Sequence, residues 1–321
     1  MMRISTNTMY QSGINKITTL QSEQVKLQQQ ISTGKRIANP SDDPVGSARA
    51  LEVSYAQGLN AKFADTRKTA ELKLNTMESS LTSVTTLLVS AQSALVAAGN
   101  GAYSDKERGF IASELQGSLE MLIGLANTKD ASGNYLYAGN QTSTLPFDGS
   151  KNLVAAVPPA VTPTVSNYNY QGDSNQQLLQ VDSQRQMAVN VSGDSAFQGG
   201  GYDVFATLNN VITLLNTPIG TTNSLSPTQY NTELATAITK MQGSVDNVLN
   251  VRASIGAKLN EIDGLNLSGT DRDLQYSKSL SDLQDLDYAS ALSDLAKQQT
   301  IMEAAQKSYV TVTGLSLFKY I

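Results

Sequence analysis

No cysteine, histidine or tryptophan occurs anywhere in the 321 residues. Without a thiol or an imidazole, thiolate chemistry, imidazole acid–base catalysis and the usual zinc and copper ligands are excluded. An enzyme built from this chain would have to run on carboxylates, lysine, serine or tyrosine. Charge is scarce as well, at 16% of residues, where about 25% is ordinary. Neutral polar residues take its place, and a weakly charged surface lets copies of a chain approach closely. The net charge of −5, with no basic stripe interleaved with aromatics, argues against nucleic acid as a partner. No run of about eighteen consecutive apolar residues exists, so no membrane insertion is expected. The opening Met1-Met2-Arg3-Ile4-Ser5-Thr6 lacks the apolar centre of a cleaved secretory signal. Export, if it occurs, needs another route, and an absence of cysteine suits passage through a channel in unfolded form. Nothing in the composition calls for a cofactor or a metal.

What the chain does have is heptad spacing at both ends. Ile17, Leu20, Gln24, Leu27 and Ile31 step by three and four, with Tyr10 and Gly13 extending the series backwards. Tyr288, Ala291, Leu295, Gln298, Met302, Ala305, Tyr309 and Val312 do the same near the C-terminus. Each series predicts a helix with one apolar stripe that requires a partner. Gln24 and Gln298 interrupt the stripes, and polar groups at such positions weaken a coiled coil while fixing its register. Two helices of this kind bury little surface alone, so they are expected to need neighbours. Neither has the lysine- and arginine-rich face of a membrane-surface helix.

The first helix should end near Thr33, with Gly34 as a left-handed cap. A loop follows, in which Asn39 and Pro40 form a turn, Asp43 stands at an N-cap and Pro44 opens the next helix. Asp42 and Asp43 could be taken for a catalytic or metal-binding pair, but beside Pro44 capping accounts for them. From Pro44 a helix of about 55 residues, roughly 80 Å long, is expected. Its stripe is Ala70, Leu74, Met77, Leu81, Val84, Leu88, Ala91, Leu95 and Ala98. Ser104 and Glu107 form a capping box for another helix through Ile111, Leu115, Leu119, Leu122 and Ala126.

Between about 131 and 203 turn residues cluster and short alternating runs replace heptads, as in Tyr135-Leu136-Tyr137, 179–181 and 187–191. Residues 157–163 suggest a polyproline-like edge or loop, and Gly199-Gly200-Gly201 a flexible exit. No phosphate-loop pattern follows those glycines. The pairs Tyr135/Tyr137 and Tyr168/Tyr170 suit a strand face better than a sugar-stacking surface. Helix resumes at 204–216 and along Leu234, Ile238, Met241, Val245, Val248, Arg252, Ile255, Leu259 and Ile262, with a break expected near Gly264 to Gly269. The fold class is therefore mainly α with a β-rich insert. A hairpin-like extended rod is expected, with a terminal coiled coil (1–40 with 272–321), a long helical bundle (41–144 with 201–271) and an outer β domain (145–200).

Several segments resemble the flagellin superfamily. They are Met2-Arg3-Ile4-Ser5-Thr6-Asn7, Ile31-Ser32-Thr33-Gly34-Lys35-Arg36-Ile37, Asn39-Pro40-Ser41-Asp42-Asp43-Pro44, Gly133-Asn134-Tyr135-Leu136-Tyr137-Ala138-Gly139 and Tyr170-Gln171-Gly172-Asp173. The Asn-Pro-Ser-Asp-Asp-Pro form and the ending Leu315-Ser316-Leu317-Phe318-Lys319-Tyr320-Ile321 are similar to the superfamily's hook–filament junction branch. They differ from the filament-forming flagellins, which remain the alternative. The resemblance implies an extracellular, non-enzymatic structural subunit of the flagellum, exported by the flagellar type III apparatus. It implies as partners the first hook-associated protein, flagellin, further copies in a ring, and an export chaperone on the C-terminal helices. The expected assembly interface is Ile17, Leu20, Leu27, Ile31, Leu295, Met302, Tyr309, Val312, Leu315, Leu317 and Phe318. Gly34, Asn39, Pro40, Asp42, Asp43 and Pro44 are expected to shape the turn and cap beside it.

Overall fold

The computed structural model describes residues 6–148, 168–220 and 225–314. It is mainly helical. The helices are α1 (Thr6–Thr33), α2 (Pro44–Ala98), α3 (Asp105–Ala126), α4 (Gly193–Phe197), α5 (Val204–Asn216), α6 (Pro227–Gln284) and α7 (Tyr288–Gly314). Strands β1 (Leu178–Asp182) and β2 (Arg185–Ala188) form one antiparallel hairpin. The chain divides into two compact units, one of Met1–Ala61 with Thr270–Ile321 and the other of Lys62–Gly269.

The unit of residues 62–269 holds a contiguous apolar core. Its spine is the α2 stripe: every residue of the 4-3 series from Ala70 to Ala98 is buried. An uninterrupted 4-3 alternation without proline keeps one face of a helix in register over many turns, and here that whole face is covered. Leu115, Leu119, Leu122 and Ala126 of α3, Phe205, Leu208, Val211 and Leu215 of α5, and Leu234, Met241, Val248, Ile255 and Ile262 of α6 join the core, with α3 packed on α5. Ser104 and Glu107 form the reciprocal box that starts α3. Ser226 and Gln229 form an equivalent pair before α6, with Pro227 at its first position. α2 also contains an eighteen-residue window of mean hydropathy 1.5, long and apolar enough to cross a membrane. Leu74, Leu81, Val84, Leu88 and Leu95 face the core, whereas Leu72, Val89 and Val96 are exposed, and Ser83, Thr86, Ser90 and Ser93 bond back to the helix's own carbonyls.

Two arginines inside this unit are paired across elements. Arg67, 1% exposed, donates from Nε to Asn266 Oδ1 (2.6 Å) and from Nη1 to the Val181 carbonyl (3.0 Å). One buried guanidinium thus joins α2, α6 and the hairpin. Arg252, on the apolar stripe of α6, reaches Glu78 at 2.6 Å.

The turn-rich segment holds less strand than its alternation predicts. Among the described residues of 131–203 the β1–β2 hairpin is the only paired strand element, and Tyr135 makes a single bridge to Lys129. Side chains satisfy the backbone instead: Asp130 caps the turn at Gly133, Asn127 pairs with Phe147 and Asn190 bonds Gln177 and Asn175. Tyr137, Phe147, Tyr168, Phe197 and Phe205 meet at ring separations between 4.7 and 5.8 Å. Tyr137 and Tyr168 are therefore core residues and offer no sugar-stacking face. Burial raises the Tyr170 phenol to about 12, and its hydroxyl is held by the carbonyls of Tyr137 and Asp173, both at 2.8 Å. Residues 157–163 lie outside the described residues. Gly199–Gly201 is a short 3-10 turn with Gly200 and Gly201 at positive φ.

The break expected near Gly264 to Gly269 does not occur. α6 runs through both glycines to Gln284, and the break comes at residues 285–287. A glycine inside a helix costs only about 1 kcal/mol, and Ile262, Leu265 and the Arg67–Asn266 bond hold α6 in place there.

Candidate assembly interface

In the unit of residues 1–61 and 270–321, α1 and α7 pack on each other. Two tyrosines of α7 close onto two glycines. A β-carbon at Gly13 would stand 2.8 Å from the Tyr309 ring, and one at Gly34 2.8 Å from the Tyr288 hydroxyl. Both pairs share the residue-number sum 322, so the helices run antiparallel with anchors three heptads apart. That register sets Leu20 level with Met302, Leu27 with Leu295, Ile31 with Ala291, and Gln24 with Gln298. The two polar interruptions of the sequence therefore occupy one layer. Gln298 Oε1 is buried there without a hydrogen-bond donor among the described residues.

The loop after α1 is tied to the break between α6 and α7. Gly34 takes φ +69°, a conformation that favours glycine. Its carbonyl accepts the Leu286 N–H at 3.0 Å, and the Arg36 N–H donates to the Gln284 carbonyl at 2.7 Å. The Arg36 guanidinium donates to the Leu283 carbonyl at 2.8 Å and to Asp43 at 3.3 Å. Asp43 Oδ1 accepts the Gly46 N–H at 2.8 Å, at the start of α2 where Pro44 is the first helical residue. Asp42 accepts the Asn39 N–H at 3.0 Å and pairs with Lys26 at 2.9 Å. Asn39 and Pro40 sit exposed at the turn. The Gly46 N–H, then the Arg36 guanidinium, hold the Asp43 carboxyl below the ordinary range, and Lys26 with the Asn39 N–H does the same for Asp42. Both carboxylates are occupied in shaping the turn.

The apolar stripes of this unit are only partly covered. Ile17, Leu20, Leu27, Ile31, Leu295 and Tyr309 are half-buried, and Met302 is buried. Among the described residues, the buried apolar side chains of the unit are Ala50, Ala291 and Met302 alone. Val25 is 63% exposed, Leu51 72% and Val310 67%, with Ile14, Tyr55, Leu274, Leu292 and Ile301 also in solvent. Leu315, Leu317 and Phe318 lie outside the described residues, as does the side chain of Val312. The structure thus brings Ile17, Leu20, Leu27 and Ile31 against the face bearing Leu295, Met302 and Tyr309. It collects Gly34, Asn39, Pro40, Asp42, Asp43 and Pro44 at the opposite end of the helix pair from Gly13.

Sequence reasoning missed Arg36, Gln284 and Asp287. Asp287 caps α7, accepting the Ala289 and Ser290 N–H groups at 3.0 and 3.3 Å. Its signal was present, an aspartate immediately before the heptad series at Tyr288.

Comparison with known proteins gives a consistent result. The bacterial flagellin N-terminal helical region matches residues 4–142. Flagellar hook-associated protein 3 of Escherichia coli (strain K12) is 35% identical over 335 residues, spanning 99% of this chain and 99% of that protein. Its Salmonella typhimurium counterpart is 36% identical over the same share of both. The crystal structure of flagellar hook associated protein-3 from Legionella pneumophila shares the fold, with TM-score 0.63 at 18% identity over 73% of this chain and 98% of that one. Near-complete coverage in both directions, at this level of identity, places the chain in the flagellar hook-associated protein 3 family of the flagellin superfamily.

Proposed function

We propose that the chain is a structural subunit that joins the flagellar hook to the filament, using its two terminal helices as the stacking surface. A structural flagellar role follows from family membership. The observation that carries the finer reading is the contrast between the units. Residues 62–269 have a closed core, whereas the described residues of 1–61 with 270–321 bury three apolar side chains and leave many large ones in water. Fully burying one Leu, Ile or Val contributes about 1.5–3 kcal/mol, so neighbouring copies have a large reserve of apolar surface to cover. Folding and stacking of the terminal helices would then be coupled. The partners are the first hook-associated protein on one side and flagellin on the other, with copies of this chain around a ring and an export chaperone on the C-terminal helices before assembly. The location is extracellular. The three-part assignment belongs to the same proposal: 1–40 with 272–321 for assembly, 41–144 with 201–271 as the helical rod, 145–200 as the outer domain.

Gold-labelled antibody should mark one band between hook and filament. Leu295→Lys should remove that band while leaving the melting of residues 62–269 unchanged. Label along the whole filament, or purified chain growing long filaments unaided, would favour a filament-forming flagellin instead.

A further inference from the structure

Beside the loop that follows α1, the structure leaves an open apolar groove of about 600 Å³. Ile37, Ala38, Pro40, Pro44, Ala48 and Leu51 supply its apolar walls. Pro44, Ala48, Leu51 and Tyr55 follow each other at 4-3-4 spacing on α2, and all four are exposed. That is a helical stripe left uncovered by the described residues of its own chain.

We infer that this groove receives residues 315–321 of a second copy of this chain. The inference rests on the stacked-subunit reading above and gives it a specific contact. Three observations carry it. First, the segment is chemically matched: five of its seven residues, Leu315, Leu317, Phe318, Tyr320 and Ile321, are large and apolar or aromatic. Second, its own chain's groove is out of reach. The groove borders Gln284 and Lys35, at the end of the helix pair where Tyr288 meets Gly34. The segment begins after Gly314, at the far end of α7. Twenty-six residue steps of α7 span about 39 Å, and seven extended residues reach back only about 24 Å. Third, the groove and the segment are different surfaces, and the segment departs from the end of α7 opposite the groove, so a contact between them is head-to-tail. Head-to-tail contacts generate rings or open helical arrays, where a self-complementary contact would stop at a dimer. Apolar matching and the antiparallel register thus yield a polymerising contact without any residue of another protein.

The chain has no cysteine of its own, so cross-linking at introduced thiols is free of background. Leu51→Cys and Phe318→Cys are introduced singly and together, and flagella isolated from cells producing each variant are treated with a short bis-maleimide. The double variant should give a ladder of linked subunits on the order of tenfold above either single variant, because a docked pair reacts at high effective concentration. Leu51→Lys should cut incorporation into flagella by a similar factor, while far-ultraviolet and thermal measurements on the purified chain stay unchanged. Incorporation with no 51–318 linkage and no effect of Leu51→Lys would overturn the contact and leave the stacking reading intact. Linkage of position 51 to itself, to an introduced Ile4→Cys, or to a different flagellar protein would overturn it in favour of that occupant. Absence of the unaltered chain from flagella would overturn the stacking reading and this contact together.

Discussion

At the scale of single residues, the loop between α1 and α2 is held by carboxylates that never reach solvent alone. Asp43 accepts from Gly46 and Arg36, and Asp42 from Asn39 and Lys26. Both folded-state pKa values are therefore depressed below the ordinary 3.8. A depressed carboxylate stabilises the fold above its unfolded pKa and loses that contribution as pH falls through the folded value. The loop should accordingly stay tied through mildly acidic pH and loosen only below about 3.8. Carboxyl-carbon NMR of Asp43 should titrate with a midpoint below that value, and in Arg36→Gln the midpoint should move upward. A midpoint at or above the ordinary value in the unaltered chain would mean that the cap is not formed in solution.

At the scale of elements, the Gln24–Gln298 layer is the weak point of the α1–α7 pair. A buried amide oxygen without a donor costs stability, whereas replacing both partners by apolar groups of similar size is commonly neutral or stabilising. The double variant Gln24→Leu with Gln298→Leu should stabilise the helix pair by about 1–2 kcal/mol. The ends of the monomer should then resist limited proteolysis longer than in the unaltered chain. Because one polar layer fixes the register, the same variant should incorporate into flagella less well. Faster end-trimming would show that the two amides do not share a layer.

The α2 stripe from Ala70 to Ala98 could be read directly from the sequence, because unbroken 4-3 spacing with no proline permits little else. Other elements could not. The α6–α7 break sits in Asp285-Leu286-Asp287, which contains neither glycine nor proline, while the true glycines at 264 and 269 are carried by packing. The register of α1 against α7 depends on Gly13–Tyr309 and Gly34–Tyr288, pairs separated by most of the chain. In the turn-rich segment, Asn127, Asn190 and Asp173 replace strand pairing by bonds to distant backbone, which periodicity does not record.

At the scale of the whole molecule, the two units differ in how they are stabilised. One is closed on an apolar core, and the other holds the half-covered α1–α7 pair and a tied turn, with few buried apolar side chains among its described residues. Local opening is expected to follow that difference, since elements with few buried contacts open at lower free energy than core helices. The most direct test of the central claim is backbone hydrogen exchange on the purified monomer and on the chain within flagella. In the monomer, amides of α1 and α7 should exchange on the order of a hundredfold faster than those of α3 and of residues 70–98. In flagella the same α1 and α7 amides should become as protected as the core. Equal protection of terminal helices and core in the monomer, unchanged on assembly, would contradict the account.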